Sequence, residues 1–104
     1  GVAHCMGDED LFMEILAMFL EDSSFGRAKA AYESKDYEVL LKSVHELKGV
    51  SGNAALTELY KATCELVEYL RNGKINDEDV NMLFALMAVA YNRTRDGIAL
   101  TLAE

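Results

Sequence analysis

The sequence predicts an all-α fold, an antiparallel up-down four-helix bundle with an additional helix at the N-terminus. Three observations predict it. Apolar residues recur at intervals of three and four along five segments. The 104 residues include no proline to break a helix. The connections are short and polar, which favours antiparallel neighbours. For the first helix, Gly7-Asp8-Glu9-Asp10 offers an N-cap and first-turn acids, with Phe12, Ile15, Leu16 and Phe19 following up to about Asp22. Ser23-Ser24 then caps a shorter helix carrying Phe25, Ala28 and Tyr32, which ends in Glu33-Ser34-Lys35. The third and clearest helix starts at the Asp36 cap, and its apolar stripe runs through Tyr37, Leu40, Leu41, Val44, Leu47 and Ser51. Thr57 opens a fourth, with Leu59, Ala62, Thr63, Leu66 and Leu70 inward and Asn72-Gly73 as its C-cap. Asn76-Asp77 starts the fifth, which follows Val80, Leu83, Met87, Ala90, Tyr91 and Thr94. Phe12, Phe19 and Tyr32 are expected in the core.

This fifth helix is apolar on every face from Met82 to Tyr91. With Leu83 at the centre of its inward stripe, Met82, Ala85 and Val89 point roughly 100–160° away, toward a side that a bundle helix ordinarily leaves polar. The first helix, itself apolar at Leu11, Met13 and Met18, is the expected cover; self-association is the alternative.

Residues 1–104 fit one domain, large enough to bury a core without disulfide or metal staples. With 10 Lys+Arg against 18 Asp+Glu and a formal charge of -8, nucleic-acid and anionic-membrane partners are not expected, since both demand a basic patch. The longest apolar run is about half the roughly 20 residues of a membrane span, so a soluble chain is expected, and its two cysteines, read as reduced thiols, point to the cytoplasm. No signal peptide is evident, and Gly1 stands where Met would begin a chain, which suggests a piece of a longer protein or a tag scar. Cys5 and Cys64 read as reduced thiols rather than a disulfide framework or zinc site.

His45 is the polar residue that the bundle does not require. With Val44 at the stripe's centre and about 100° per residue, His45 lies about 100° round, at the edge, facing water. Lys48, Gly49 and Gly52 follow it at i+3, i+4 and i+7. Each mid-helix glycine costs about 1 kcal/mol relative to alanine, so the pair calls for an offsetting role. Gly49, near 140° and turned away from the core, reads as clearance beside the imidazole, whereas Gly52, near 80°, serves either access or helix packing. A neutral imidazole is a good nucleophile near its reference pKa of about 6.5. Lys48 can place a cation beside an incoming anion. Lys42 and Glu46 flank the site and read as solvated charges, and His4 as an ordinary surface residue. There is no Gly-rich phosphate loop, carboxylate cluster for magnesium or nucleotide-binding pattern, so no use of ATP is expected.

The stretch His45-Glu46-Leu47-Lys48-Gly49-Val50-Ser51-Gly52-Asn53-Ala54-Ala55-Leu56 resembles the signature of histidine-containing phosphotransfer (HPt) domains. The opening Gly7 to Phe12 and the Phe-Leu-Glu-Asp of Phe19 to Asp22 are similar to HPt domains at the end of hybrid sensor kinases. One departure stands out: Ala55-Leu56 occupies the place where members often carry Gly-Ala. The resemblance implies that His45 accepts a phosphoryl group from a receiver-domain aspartyl phosphate and passes it to another receiver. It implies a carrier rather than an enzyme. Response-regulator receivers and a parent sensor kinase are the implied partners. The chain itself would hold no cofactor, and magnesium would sit on the receiver. Two other readings stay open: a helical adaptor or dimerisation module without transfer chemistry, and a metal site built from His4, Cys5 and His45.

Overall fold

A computed structural model describes the backbone of residues 2–103, with the side chains of Leu11 and of residues 13–103. These form five helices: α1 (Val2–Glu21), α2 (Ser24–Glu33), α3 (Tyr37–Asn53), α4 (Thr57–Arg71) and α5 (Asp77–Ala103). Helix α2 packs on α3, α3 on α4 and α4 on α5, while α1 lies against α5 and α3. The all-α bundle with an added N-terminal helix is therefore the observed architecture.

Aromatic stacking closes the ring of four between α2 and α5. Phe25 lies 3.9 Å from Tyr91 and Tyr32 lies 4.2 Å from Phe84 (ring centroids), each pair within 5° of parallel. Leu40, Val44 and Leu47 of α3 and Leu59 and Leu66 of α4 fill the centre, all fully buried. Phe19 brings α1 into the same core, with its ring centroid 5.5 Å from that of Tyr91. Tyr32 is half-buried rather than interior, because its hydroxyl reaches out to donate to Asn81 Oδ1 at 2.6 Å. Phe12 lies outside the described side chains.

Helix starts follow the local chemistry, with two corrections. Asp36 caps α3 by accepting from the Val39 N–H at 3.3 Å, and Asn76 Oδ1 accepts from the N–H groups of Glu78 and Asp79 at 2.8 and 3.4 Å. At α2 the Ser23 side chain makes no cap bond. Asp22 supplies it instead, its carboxylate accepting from the Ser24 N–H at 2.9 Å and from the Ser24 hydroxyl, because a carboxylate is the stronger acceptor. Helix α1 begins at Val2 and runs through Gly7, so Gly7 to Asp10 form no N-cap. A glycine inside a helix is a local cost of about 1 kcal/mol, which adjoining turns of good helix formers offset.

The inward line of α5 also differs from expectation. Val80, Phe84, Met87 and Tyr91 are buried, and Leu83 is only half-buried. The large rings of Phe84 and Tyr91 stack on α2 and claim the central line. Nor does α1 cover the outer face: Met82, Leu86 and Val89 stay 57%, 54% and 55% exposed, as do Leu11 and Met18 at 56% and 68%. Helix α1 spends its inward residues, Leu16 and Phe19, on the core instead. None of the described helices is long and apolar enough to cross a membrane.

At one end of the bundle, polar groups tie the α2–α3 turn to the start of α5. The Tyr37 hydroxyl donates to Asp77, and Lys35 Nζ lies 3.1 Å from the other oxygen of the same carboxylate. Beside them, the Tyr69 hydroxyl accepts from the Asn76 N–H at 2.8 Å and donates to Asp79 at 3.1 Å.

Candidate functional site

Helix α3 presents His45 from its exposed side while Val44 and Leu47, its neighbours on the stripe, are fully buried. The core thus fixes the rotation of the helix, and that rotation turns the imidazole outward. His45 makes no hydrogen bond or ion pair with another side chain among the described residues. Its ring nitrogens are open to an incoming group.

One and two turns further along, α3 meets the α3–α4 turn around an open cavity of about 550 Å³. His45, Lys48, Gly49 and Gly52 line it from α3, and Leu56 and Tyr60 from the turn and α4. The four residues singled out in the sequence therefore share one surface. Their surroundings differ. A Cβ added at Gly49 would meet nothing within 4 Å. One added at Gly52 would sit 3.0 and 3.2 Å from Cε1 and Cδ1 of Tyr60. Gly49 leaves open space beside the histidine, whereas Gly52 lets the Tyr60 ring lie against the α3 backbone. Of the two roles open to Gly52, close packing is the one these distances describe.

Lys48 is half-buried and brings an ammonium group to the cavity at i+3 from His45. Neighbouring charges are disposed differently. Glu46 pairs with Arg27 of α2 at 2.5 Å and so is not simply solvated, while Lys42 is exposed. Tyr60 is 40% exposed on the cavity's far wall. A hydrogen bond with the Cys64 thiol one turn along holds its phenol above the ordinary range. Ser51, fully buried beneath the cavity, donates its hydroxyl to the Lys48 carbonyl at 3.0 Å and so is itself satisfied.

The corner itself is strained. Ala55 holds φ +57°, the left-handed region, where a Cβ is unfavourable by about 1–2 kcal/mol. Its N–H and that of Leu56 close the turn on the Gly52 and Ser51 carbonyls at 3.2 and 2.9 Å. This is the position where the resemblance calls for glycine, and the turn geometry gives the reason.

Sequence reasoning did not find Tyr60 and Leu56. Both come from beyond the helix turn, and periodicity within α3 carries no information about them; the small residue at Gly52, eight before Tyr60, is the single hint. Among the described residues no group of three or more His, Cys, Asp or Glu side chains is arranged to hold a metal. His4 and Cys5, two members of the metal-site reading, lie outside the described side chains. A family model described as the Hpt domain matches residues 14–97. No curated protein and no solved structure matches the chain.

Proposed function

The chain belongs to the Hpt domain family, a family of phosphotransfer carriers in two-component signalling, and on that premise we propose that His45 is the residue that carries the phosphoryl group. The observation that supports this most strongly is the pairing of an exposed imidazole, unpartnered among the described residues, with the cavity edged by Lys48 and Gly49. In the forward step a ring nitrogen lone pair of His45 attacks phosphorus, and the bond from phosphorus to the receiver's aspartate oxygen breaks. The carboxylate leaves with the electron pair, and the proton on the other ring nitrogen exchanges with water. Return to a second receiver reverses these events. Lys48 offsets charge on the phosphoryl oxygens as they pass, and Gly49 gives the receiver's loops room to approach. The receiver supplies magnesium and the acidic pocket. On this reading residues 1–104 act as one domain in the cytoplasm, working with receiver domains and a parent sensor kinase rather than with nucleic acid or membrane.

Incubation with a phosphorylated receiver tests the assignment. The parent chain should take up label that is lost in acid, as a phosphoramidate is. His45→Gln should take up none while its helical spectrum and melt stay within about 0.5 kcal/mol of the parent. Uptake by the Gln variant near the parent rate would remove His45 from the role. Receiver binding that is unaffected by His45→Gln, with no uptake by either protein, would favour the adaptor reading.

A further inference from the structure

We propose that the outer face of α5 is a self-complementary surface that pairs with α5 of a second copy of this chain, antiparallel and centred on Leu86. The inference is independent of the phosphotransfer reading. At about 100° per residue, Val80, Phe84, Met87 and Tyr91 cluster about one line of α5 and enter the core. Met82, Val89 and Arg93 lie about the opposite line, turned away from the core, with the Arg93 guanidinium reaching back to Glu58 of α4. Asp79, Met82, Leu86, Val89 and Arg93 follow one another at alternating intervals of three and four. That is the spacing of a seam between two helices in a coiled coil. Its three apolar members are each more than half exposed.

The charges at its two ends select the occupant. An antiparallel copy centred on Leu86 sets Leu86 against Leu86, Met82 beside Val89, and Asp79 opposite Arg93, twice over. A parallel copy would set Asp79 against Asp79 and Arg93 against Arg93, at an electrostatic cost. Both charges are available: the Arg93 side chain remains 71% exposed although it reaches Glu58 at 3.3 Å, and the exposed Asp79 carboxylate accepts only from Tyr69 among the described residues. A guanidinium has donors enough for both partners. Three apolar residues per copy form a small seam, so the association is weak and reversible. Because α3 packs on α2 and α4, diagonally across the bundle from α5, both copies keep His45 open.

Sedimentation equilibrium of the 104-residue chain, from micromolar to millimolar concentration in low salt, tests the pairing. The parent mass should rise from 11.5 kDa toward twice that value. Leu86→Glu should remain monomeric with an unchanged thermal melt. Asp79→Arg should weaken association about tenfold or more, and adding Arg93→Asp to it should restore association by recreating both pairs in reverse. A parent that stays monomeric into the millimolar range would overturn the proposal and leave the face to a different partner. A Leu86→Glu variant that associates like the parent would equally overturn it, as would a double reversal no tighter than the single one.

Discussion

The two ends of this bundle solve the same problem with opposite means. Both the α2–α3 turn and the α3–α4 turn pass through a non-glycine residue in the left-handed region, Lys35 and Ala55, each at φ +57°. At the first turn the strain is held within a network: Lys35 and Tyr37 converge on Asp77, with Tyr69, Asn76 and Asp79 alongside. At the second turn no side chain among the described residues ties Ala55 down. The helix before it carries two glycines, and the cavity beside it stays open to solvent. Polar bonds tie one end shut, and the other is left accessible beside the exposed His45. The bundle concentrates its surface hydrogen bonding away from the cavity that His45 edges.

The sharpest way to break this comparison is to fill the open end. Gly49→Leu should keep a folded and even stabilised bundle, since nothing lies within 4 Å of the first added carbon, yet phosphotransfer should fall by a factor of at least about 100, because a branched side chain one turn from the imidazole blocks approach. Gly49→Ala should stabilise by up to about 1 kcal/mol with a modest effect on transfer. Thermal melts and label transfer on the same protein decide it; a destabilised Leu variant that transfers normally would return Gly49 to a packing role.

Relieving the strained corner gives a smaller effect. Ala55→Gly should raise stability by about 0.5–1 kcal/mol, the left-handed penalty less the entropy cost of glycine. The change is read from urea unfolding midpoints. No gain would mean that the corner relaxes by some other route.

The smallest effect concerns the tied end, and there pH is the probe. The Tyr37 hydroxyl and then Lys35 hold the Asp77 carboxyl below its usual range, so its contribution is present above that range and lost as pH falls through the lowered value. The same bond to Asp77 pushes Tyr37 up to about 12, so its contribution is present below the ordinary tyrosine pKa of about 10 and lost as pH rises toward the shifted value. Tyr37→Phe should therefore flatten the stability profile on its alkaline side and reduce the acid loss. Unfolding curves at a series of pH values check this, and an unchanged profile would show that the exposed bond contributes nothing measurable.

Much of this molecule was legible before its structure. Asp36 and Asn76 announce their helices because capping is a contact between residues two or three apart. His45, Lys48, Gly49 and Gly52 fall on one surface because three- and four-residue intervals on a helix place them there. Where a neighbour competes, local reading is less secure. Asp22 took the cap from Ser23, and α1 continued through a glycine that resembled a start.

By itself, the order of apolar and polar residues determined the helices, their up-down succession and the outward turn of His45, since each follows from period, capping and short connections. Only the tertiary structure decided that Tyr60 leans on Gly52, that Phe84 rather than Leu83 leads α5 inward, and that α1 leaves Met82, Leu86 and Val89 bare. Each of these depends on which side chain of another helix fills a shared space. Volume and shape across an interface leave no periodic mark on either sequence segment.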